Sequence, residues 1–395
     1  MVVKVSKPEI NVREKISELD KPSGTAGQAM LAAETPQEQF NLIGAGRRNL
    51  IINGAMQVEQ RGAYTISTTG SPEYGGPDRF HVWSYTSGEE VTAEISKSTV
   101  GGTPTGFANT YRFDVLTAES SVAAAEAVVV AQYIEAQDCQ HLEYGTNDAK
   151  PVTLSFWIKT SITGTYCFFL QNDDGDRIQV KEYTVNSADT WEKKIITIPG
   201  DASGTINNDS GRGLWCGWVL MAGTDRHGSK DTWRTTGADY ATSSQVNALN
   251  NTANNIYLTG IQLEVGKVAT PFEHRSYGEE YALCQRYYQR FHADGQDFTN
   301  IGIAIATNSA WYVPIILPGG RMRTDPTLSY SAVSDFRITL QHSTSSAVTS
   351  MMIGYGNPLH PNLSVQSGSN SASNGARMFG YGSSTTAWLA FDAEL

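Results

Sequence analysis

Residues Val152 to Val185 read VTLSFWIKTSITGTYCFFLQNDDGDRIQVKEYTV, and this stretch decides the fold class. Val152, Leu154, Phe156 and Ile158 alternate with Thr153, Ser155 and Lys159, the two-residue period of a strand that buries one face. Two further runs, Thr165–Leu170 and Arg177–Val185, flank Asn172-Asp173-Asp174-Gly175. Asp-Gly there is predicted to supply the positive φ angles of a hairpin turn. Within the last run the apolar positions go Ile178, Val180, then Tyr183, Val185, and this phase slip at Lys181-Glu182 predicts a β-bulge.

The same texture extends outward. Leu214, Cys216, Trp218 and Leu220 fill one face of a further strand while Trp215, Val219 and Met221 fill the other, so this strand is expected to be central and covered on both sides. Tyr257, Thr259, Ile261 and Leu263 close the set. Many short antiparallel strands across residues 48–275 predict a two-sheet β-sandwich of jelly-roll type.

Composition agrees. Only 17% of the 395 residues are charged, below the roughly 25% usual in soluble domains, and the 37 glycines suit short strands joined by turns. Lys and Arg number 29 against 40 Asp and Glu, a net charge of −11. Such a surface repels phosphate backbones and argues against a nucleic-acid partner. No window approaches the about 18 apolar residues of a membrane span, and the N-terminus lacks an apolar signal core. The expectation is a soluble protein made in a cytoplasm, with no membrane insertion. Cys139, Cys167, Cys216 and Cys284 are scattered without a C-x-x-C pair, which predicts free buried thiols rather than a metal or redox site.

Residues 1–47 are too polar and too interrupted by Pro and Gly to make a core. Within them Thr35-Pro36-Gln37-Glu38 reads as a helix start. It predicts a short helix through Phe40, Leu42 and Ile43 that stops at Gly44 and Gly46. An arm of this kind, where it is ordered, is expected to be held by another chain. Beyond the sandwich, Ser276-Tyr277-Gly278-Glu279 is a capping box. Leu283, Tyr287 and Phe291 then fall four apart, predicting one apolar helical face and an oligomer interface. Strand patterns return at Ile301–Ala306, Trp311–Leu317 and Phe336–Leu340. The chain is therefore read as mainly β: an extended N-terminal arm with a short helix (1–47), a jelly-roll β-sandwich (48–275), then a short helix and a smaller C-terminal β domain (276–395).

A set of motifs recurs along this frame. Asn49-Leu-Ile-Ile-Asn-Gly-Ala-Met-Gln-Val58 is followed by Asp78-Arg79-Phe80, Gln140–Gly145, Lys150–Trp157, Thr190–Lys194 and Ile198–Asp201. It ends with Thr259–Gly266, Ala269–Glu273 and Cys284-Gln285-Arg286-Tyr287-Tyr288. In this order and spacing the set resembles phage tail-fibre and related virion proteins of marine-bacteriophage type, over roughly residues 40–330. The resemblance implies a carbohydrate-binding-like jelly roll in a virion structural protein. It further implies a homotrimer, docked to other virion proteins by its arm (through Phe40, Leu42 and Ile43) and meeting a host cell-surface glycan through its distal β domains. A tail fibre mediating host attachment is the first expectation, and a head or collar decoration protein with a purely structural role is the alternative. A polysaccharide depolymerase is the third.

No constellation for catalysis stands out. Asp173, Asp174 and Asp176 are clustered, but on a predicted hairpin tip, where turn chemistry accounts for them. A calcium loop would need an acidic residue where the chain has Asn186. The seven histidines are dispersed, and no G-x-S-x-G frames a nucleophile. No enzyme, metal or cofactor is expected. For a sugar site the useful chemistry is an aromatic platform beside hydrogen-bonding groups. Trp233 and Tyr240, in the polar stretch Gly223–Asn247, are the candidates, while Trp215 and Trp218 are expected in the core. Tyr355, Phe379, Tyr381 and Trp388 could build a subunit interface or a receptor face.

Overall fold

A computed structural model describes residues 47–67, 71–86, 92–99, 102–293, 295, 299–306, 310–340, 344–367, 376–382 and 384–395, together with Met30, Ala32 and Gln39 in helical backbone. The arm's Phe40, Leu42 and Ile43 lie outside the described residues.

The chain is mainly β. One six-stranded antiparallel sheet runs β1 (Tyr64–Ser67), β4 (Thr92–Ser98), β5 (Thr110–Val115), β13 (Asn255–Val265), β7 (Val152–Thr160), β10 (Glu192–Ile198). A seven-stranded one runs β12 (Arg234–Thr235), β9 (Arg177–Val185), β8 (Gly164–Asn172), β11 (Arg212–Ala222), β6 (Ala127–Glu135), β3 (His81–Tyr85), β2 (Glu73–Tyr74). The alternating residues of β7 and β8 meet those of β11 and β13 in one core, in which Trp218 is fully buried. Its ring lies 5.1 Å from Phe168 and 5.8 Å from Phe156.

Three local expectations are corrected. The β8–β9 ladder runs from Gly164↔Val185 to Asn172↔Arg177 without a bulge. The apparent slip arises because both faces of β9 are covered: Ile178 and Val180 pack in an outer layer, Tyr183 and Val185 in the sandwich core. In the two sandwich sheets the register shifts fall instead in β11 and β13. That in β11 carries Met221 into the sandwich core, away from the face of Trp215 and Val219. At the hairpin tip the positive φ belongs to Asp176, at 54°, rather than to Gly175.

The Asn49–Val58 motif is a hydrogen-bonded plug. Asn49 Nδ2 donates to the Ile261 carbonyl (3.0 Å), and its Oδ1 accepts from the Ile51 and Leu263 amides. Asn53, at φ 62°, donates through Nδ2 to the carbonyls of Val58 (2.8 Å) and Asp78 (3.0 Å). Asn tolerates this left-handed conformation because its short amide bonds locally. A Cβ on Gly54 would run into the Ile261 carbonyl oxygen.

Helix α1 (Tyr277–Gln285) starts with both halves of the capping box in place. It ends at Gln285, and the chain re-enters as strand β14 (Tyr288–His292). The expected apolar stripe is therefore not one helical face. Leu283 is half-buried on α1, while Tyr287 is buried beyond its end. Phe291 packs on Phe391, 6.1 Å between rings. The helix stops because Arg286 forks onto Glu135 (2.6 and 2.8 Å) and the following residues pair with β22 (Trp388–Asp392).

Strand β22 lies between β14 and β17 (Thr327–Tyr330). The remaining strands close a six-stranded barrel in the order β15 (Asn300–Ala306), β16 (Trp311–Pro314), β20 (Asn362–Ser367), β19 (Thr344–Tyr355), β18 (Phe336–Leu340), β21 (Ala376–Tyr381). Of the C-terminal aromatics, Phe379 and Tyr381 are buried in the barrel core, Trp388 is half-buried and Tyr355 is exposed.

The tail after β22 folds back onto the sandwich. Arg79, 1% exposed, pairs with Glu394 and donates to the Tyr133 carbonyl (2.8 Å), with its guanidinium 3.4 Å from the Tyr287 ring centre. Arg61 pairs with Asp392 (2.9 Å) and Glu394 (3.2 Å). Arg323 joins the Ala393 and Glu394 carbonyls to that of Ser210. The Asp78-Arg79-Phe80 motif is thus the seat of the C-terminal tail.

Candidate glycan-binding surface

The seven-stranded sheet turns a second aromatic layer away from the sandwich core. Its strands bring Trp83 of β3, Tyr133 of β6, Phe169 of β8 and Trp215 of β11 onto one face, beside the small Ala131 and Gly217. A Cβ on Gly217 would enter the Phe169 ring, so the glycine makes room for the layer. The rings run continuously: Tyr74–His81 at 5.0 Å, His81–Tyr133 stacked at 4.4 Å, Tyr133–Trp215 at 5.5 Å, Trp215–Trp83 at 5.8 Å and Trp83–Tyr240 at 5.3 Å. Such tilted and edge contacts suit the ring quadrupoles and hold the array rigid.

One end of this layer opens to solvent. Tyr85 is 45% exposed, and Trp83 and Tyr240 are half-buried. The Arg226 guanidinium lies 5.1 Å from Tyr85, 5.9 Å from Trp83 and 6.0 Å from Tyr240. Its Nε donates to the Ala125 carbonyl at 2.6 Å, which fixes the cation in place. Burial raises the Tyr240 hydroxyl pKa and pushes Tyr133 up to about 12. Burial, and then the charges of Arg79 and Arg212, lower that of His81. The layer is uncharged at neutral pH, with Arg226 and Arg212 as cations at its rims. A neutral aromatic platform beside a fixed donor fork can stack the C–H face of a sugar ring and bind its hydroxyls.

The two sugar-site candidates from sequence are not brought together. Tyr240 belongs to this outer layer, whereas Trp233 packs against the sandwich core. Its Nε1 donates to the Pro199 carbonyl (2.7 Å) and its ring meets Tyr144 edge-on at 5.8 Å. Sequence reasoning missed Trp83, Tyr85 and Arg226, although His81-Val-Trp-Ser-Tyr85 alternates large rings on one side. The hairpin carboxylates face separate partners: Asp173 takes Gln171, Asp174 takes Asn207 and Asp176 takes Thr236. Among the described residues no group of three His, Cys, Asp or Glu side chains could hold a metal.

No family model and no curated protein matches the chain. Among solved structures it is similar to the enzymatically active domain of tailspike protein 4 of bacteriophage CBA120, at 12% identity and a TM-score of 0.30. That match covers 55% of this chain and 21% of the solved tailspike domain. A family 11 carbohydrate-binding module of a Clostridium thermocellum cellulosomal cellulase matches at 14% identity and TM-score 0.26, covering 55% of this chain and 99% of the module. The C-terminal family 22 carbohydrate-binding module of a Clostridium thermocellum protein gives 14%, 0.26, 54% and 100%. Similarity at this level says nothing about what this chain binds.

Proposed function

We propose that the chain is a glycan-binding subunit of a virion appendage, a tail fibre that attaches the particle to host-surface saccharide. The observation that carries the binding reading is the solvent-facing end of the outer aromatic layer, where Tyr85, Trp83 and Tyr240 surround the fixed Arg226. The motif set from Asn49 to Tyr288 supports the virion reading, with the arm (1–47) docking to other virion proteins, the appendage a homotrimer and the virion its location. Each site is weak in this reading, and linked copies raise avidity by about 10²–10⁴.

Purified protein on an array of bacterial surface glycans is expected to bind a defined saccharide. Tyr85→Ala and Arg226→Ala should each weaken binding about tenfold, the worth of one stacking or cation–π contact of about 1–1.5 kcal/mol. Trp233→Phe should leave it unchanged. Absence of binding across host-derived glycans, or loss on Trp233→Phe alone, overturns the assignment. Release of reducing sugar from host polysaccharide would replace it with the depolymerase reading.

A further inference from the structure

A small cavity opens where the Asn49–Val58 plug, the loop before β5 and the start of α1 meet. It holds about 260 Å³ and is lined by Ala55 and Gln57 of the plug, Phe107 and Asn109 of the loop, and Tyr277 of α1. The loop leads into β5 and leans on β13, both in the six-stranded sheet, whereas the Tyr85–Arg226 surface belongs to the seven-stranded one.

The walls are fixed by contacts that leave the lining amides free. Gly260, at φ 60° in the register shift of β13, gives the Phe107 ring its seat, since a Cβ there would come within 2.6 Å of the ring. Phe107 meets Phe272 edge-on at 5.0 Å and lies 5.5 Å from the His274 ring. Thr103 Oγ1 donates to the Phe107 carbonyl, and Thr259 Oγ1 donates to that of Asn109 (2.8 Å). Tyr277 stacks on Tyr281 at 5.8 Å and follows the Ser276 cap. Of the four side-chain amides between Asn49 and Gln60, those of Asn49, Asn53 and Gln60 bond backbone carbonyls. The Gln57 amide has no hydrogen-bond partner among the described residues, and neither has that of Asn109. Tyr277 is 60% exposed.

Among the described residues the lining carries no Asp, Glu, Lys, Arg or His, so an ion would lose its hydration without gaining a counter-charge. A neutral ligand is favoured. The volume equals about nine waters at about 30 Å³ each and falls below the about 300–1,000 Å³ of pockets for drug-sized molecules. It suits one ring rather than a chain. Two carboxamides each present an N–H donor and a C=O acceptor, the complement of another amide. Ala55 and Phe107 supply an apolar spot beside them, and the Tyr277 ring can stack on the C–H face of a pyranose.

We propose that this cavity is a second saccharide site, selective for a single pyranose that carries an acetamido group. The sugar ring lies on Tyr277, the acetamido methyl against Ala55 and Phe107, and its N–H and C=O bond to Gln57 and Asn109. The inference goes beyond the attachment surface proposed above and shares no residue with it.

The test titrates the full chain with methyl N-acetyl-β-glucosaminide and, separately, with methyl β-glucoside, followed by saturation-transfer NMR and calorimetry. The acetamido sugar is expected to bind with a dissociation constant on the order of 1 mM, as suits about sixteen non-hydrogen atoms, with its methyl protons strongly saturated. The glucoside should bind at least about tenfold more weakly. Tyr277→Ala should weaken binding of the acetamido sugar about tenfold. Gln57→Ala and Asn109→Ala should each cost at least about threefold, and together they should bring the preference over the glucoside close to one. Should Gln57→Ala disturb the plug, as judged by near-UV circular dichroism, Asn109→Ala carries the same readout from the loop. Arg226→Ala should leave this titration unchanged. No binding up to about 20 mM, equal affinity for the two sugars, or a loss with Arg226→Ala rather than Tyr277→Ala overturns the proposal. Either of the first two results leaves the Tyr85–Arg226 surface standing, because array binding lost with Tyr85→Ala is read from different residues.

Discussion

Replacing Arg79 by Met keeps the aliphatic stem and removes the charge at the most deeply buried ion pair described. The side chains of Arg79 and Glu394 are 1% and 4% exposed. Removing one member of such a pair costs about 3–5 kcal/mol, because the other charge stays buried without its partner. Arg61 still reaches Glu394 at 3.2 Å, which favours the lower end. The orphaned Tyr133 carbonyl adds about 1–3 kcal/mol, overlapping with the first figure. The expected loss is therefore about 3–5 kcal/mol, a fall on the order of 10 °C in melting midpoint. Lys150→Met, at the 42%-exposed pair with Glu143, should cost under about 1 kcal/mol. Urea unfolding followed by tryptophan fluorescence measures both. Arg79→Met/Glu394→Met should be at least about 1 kcal/mol more stable than the sum of the single variants, since both charges leave together. A single-variant loss below about 1 kcal/mol, or strict additivity, refutes the view that this pair anchors the tail.

His81 supplies a pH test. It is fully buried between Tyr74 and Tyr133, and neither ring nitrogen has a hydrogen-bond partner among the described residues. With its pKa lowered in the folded chain, only the unfolded state takes up its proton as pH falls below about 6.5, so stability is lost there by up to about 1.4 kcal/mol per pH unit. His81→Phe should remove that slope between pH 6.5 and 5, read as the pH dependence of the urea midpoint; an unchanged slope assigns it to other groups. Gly54→Ala should destabilise by about 1–3 kcal/mol through the Ile261 carbonyl, and a neutral result in the same assay would mean the Asn49–Val58 plug yields.

Much of the fold was legible because its signals are local. The period of Val152–Ile158, the covered strand around Trp218 and the Ser276–Glu279 capping box all depend on residues a few positions apart, and all three formed. The misreadings came where one pattern has two physical sources. Leu283, Tyr287 and Phe291 have helical spacing, but pairing with β22 draws Phe291 into a strand. Ile178 to Val185 looked bulged because a covering outer layer makes both faces of β9 apolar. Asp176 rather than Gly175 took the left-handed conformation in a hairpin whose carboxylates bind the neighbouring segments at Asn207 and Thr236.

The sequence by itself determined a mainly β chain and a sandwich with its central covered strand, because alternation and side-chain volume act over short range. It also marked the Asn49, Asn53 and Asp78-Arg79-Phe80 motifs without showing what they hold. Only the tertiary structure decided that Trp83, Tyr85, Tyr240 and Arg226 converge, that Trp233 faces the core, and that the tail seals the sandwich through Arg79. Trp83 and Arg226, and Arg79 and Glu394, are more than a hundred positions apart, and strand order and register, which local periodicity does not encode, bring them together.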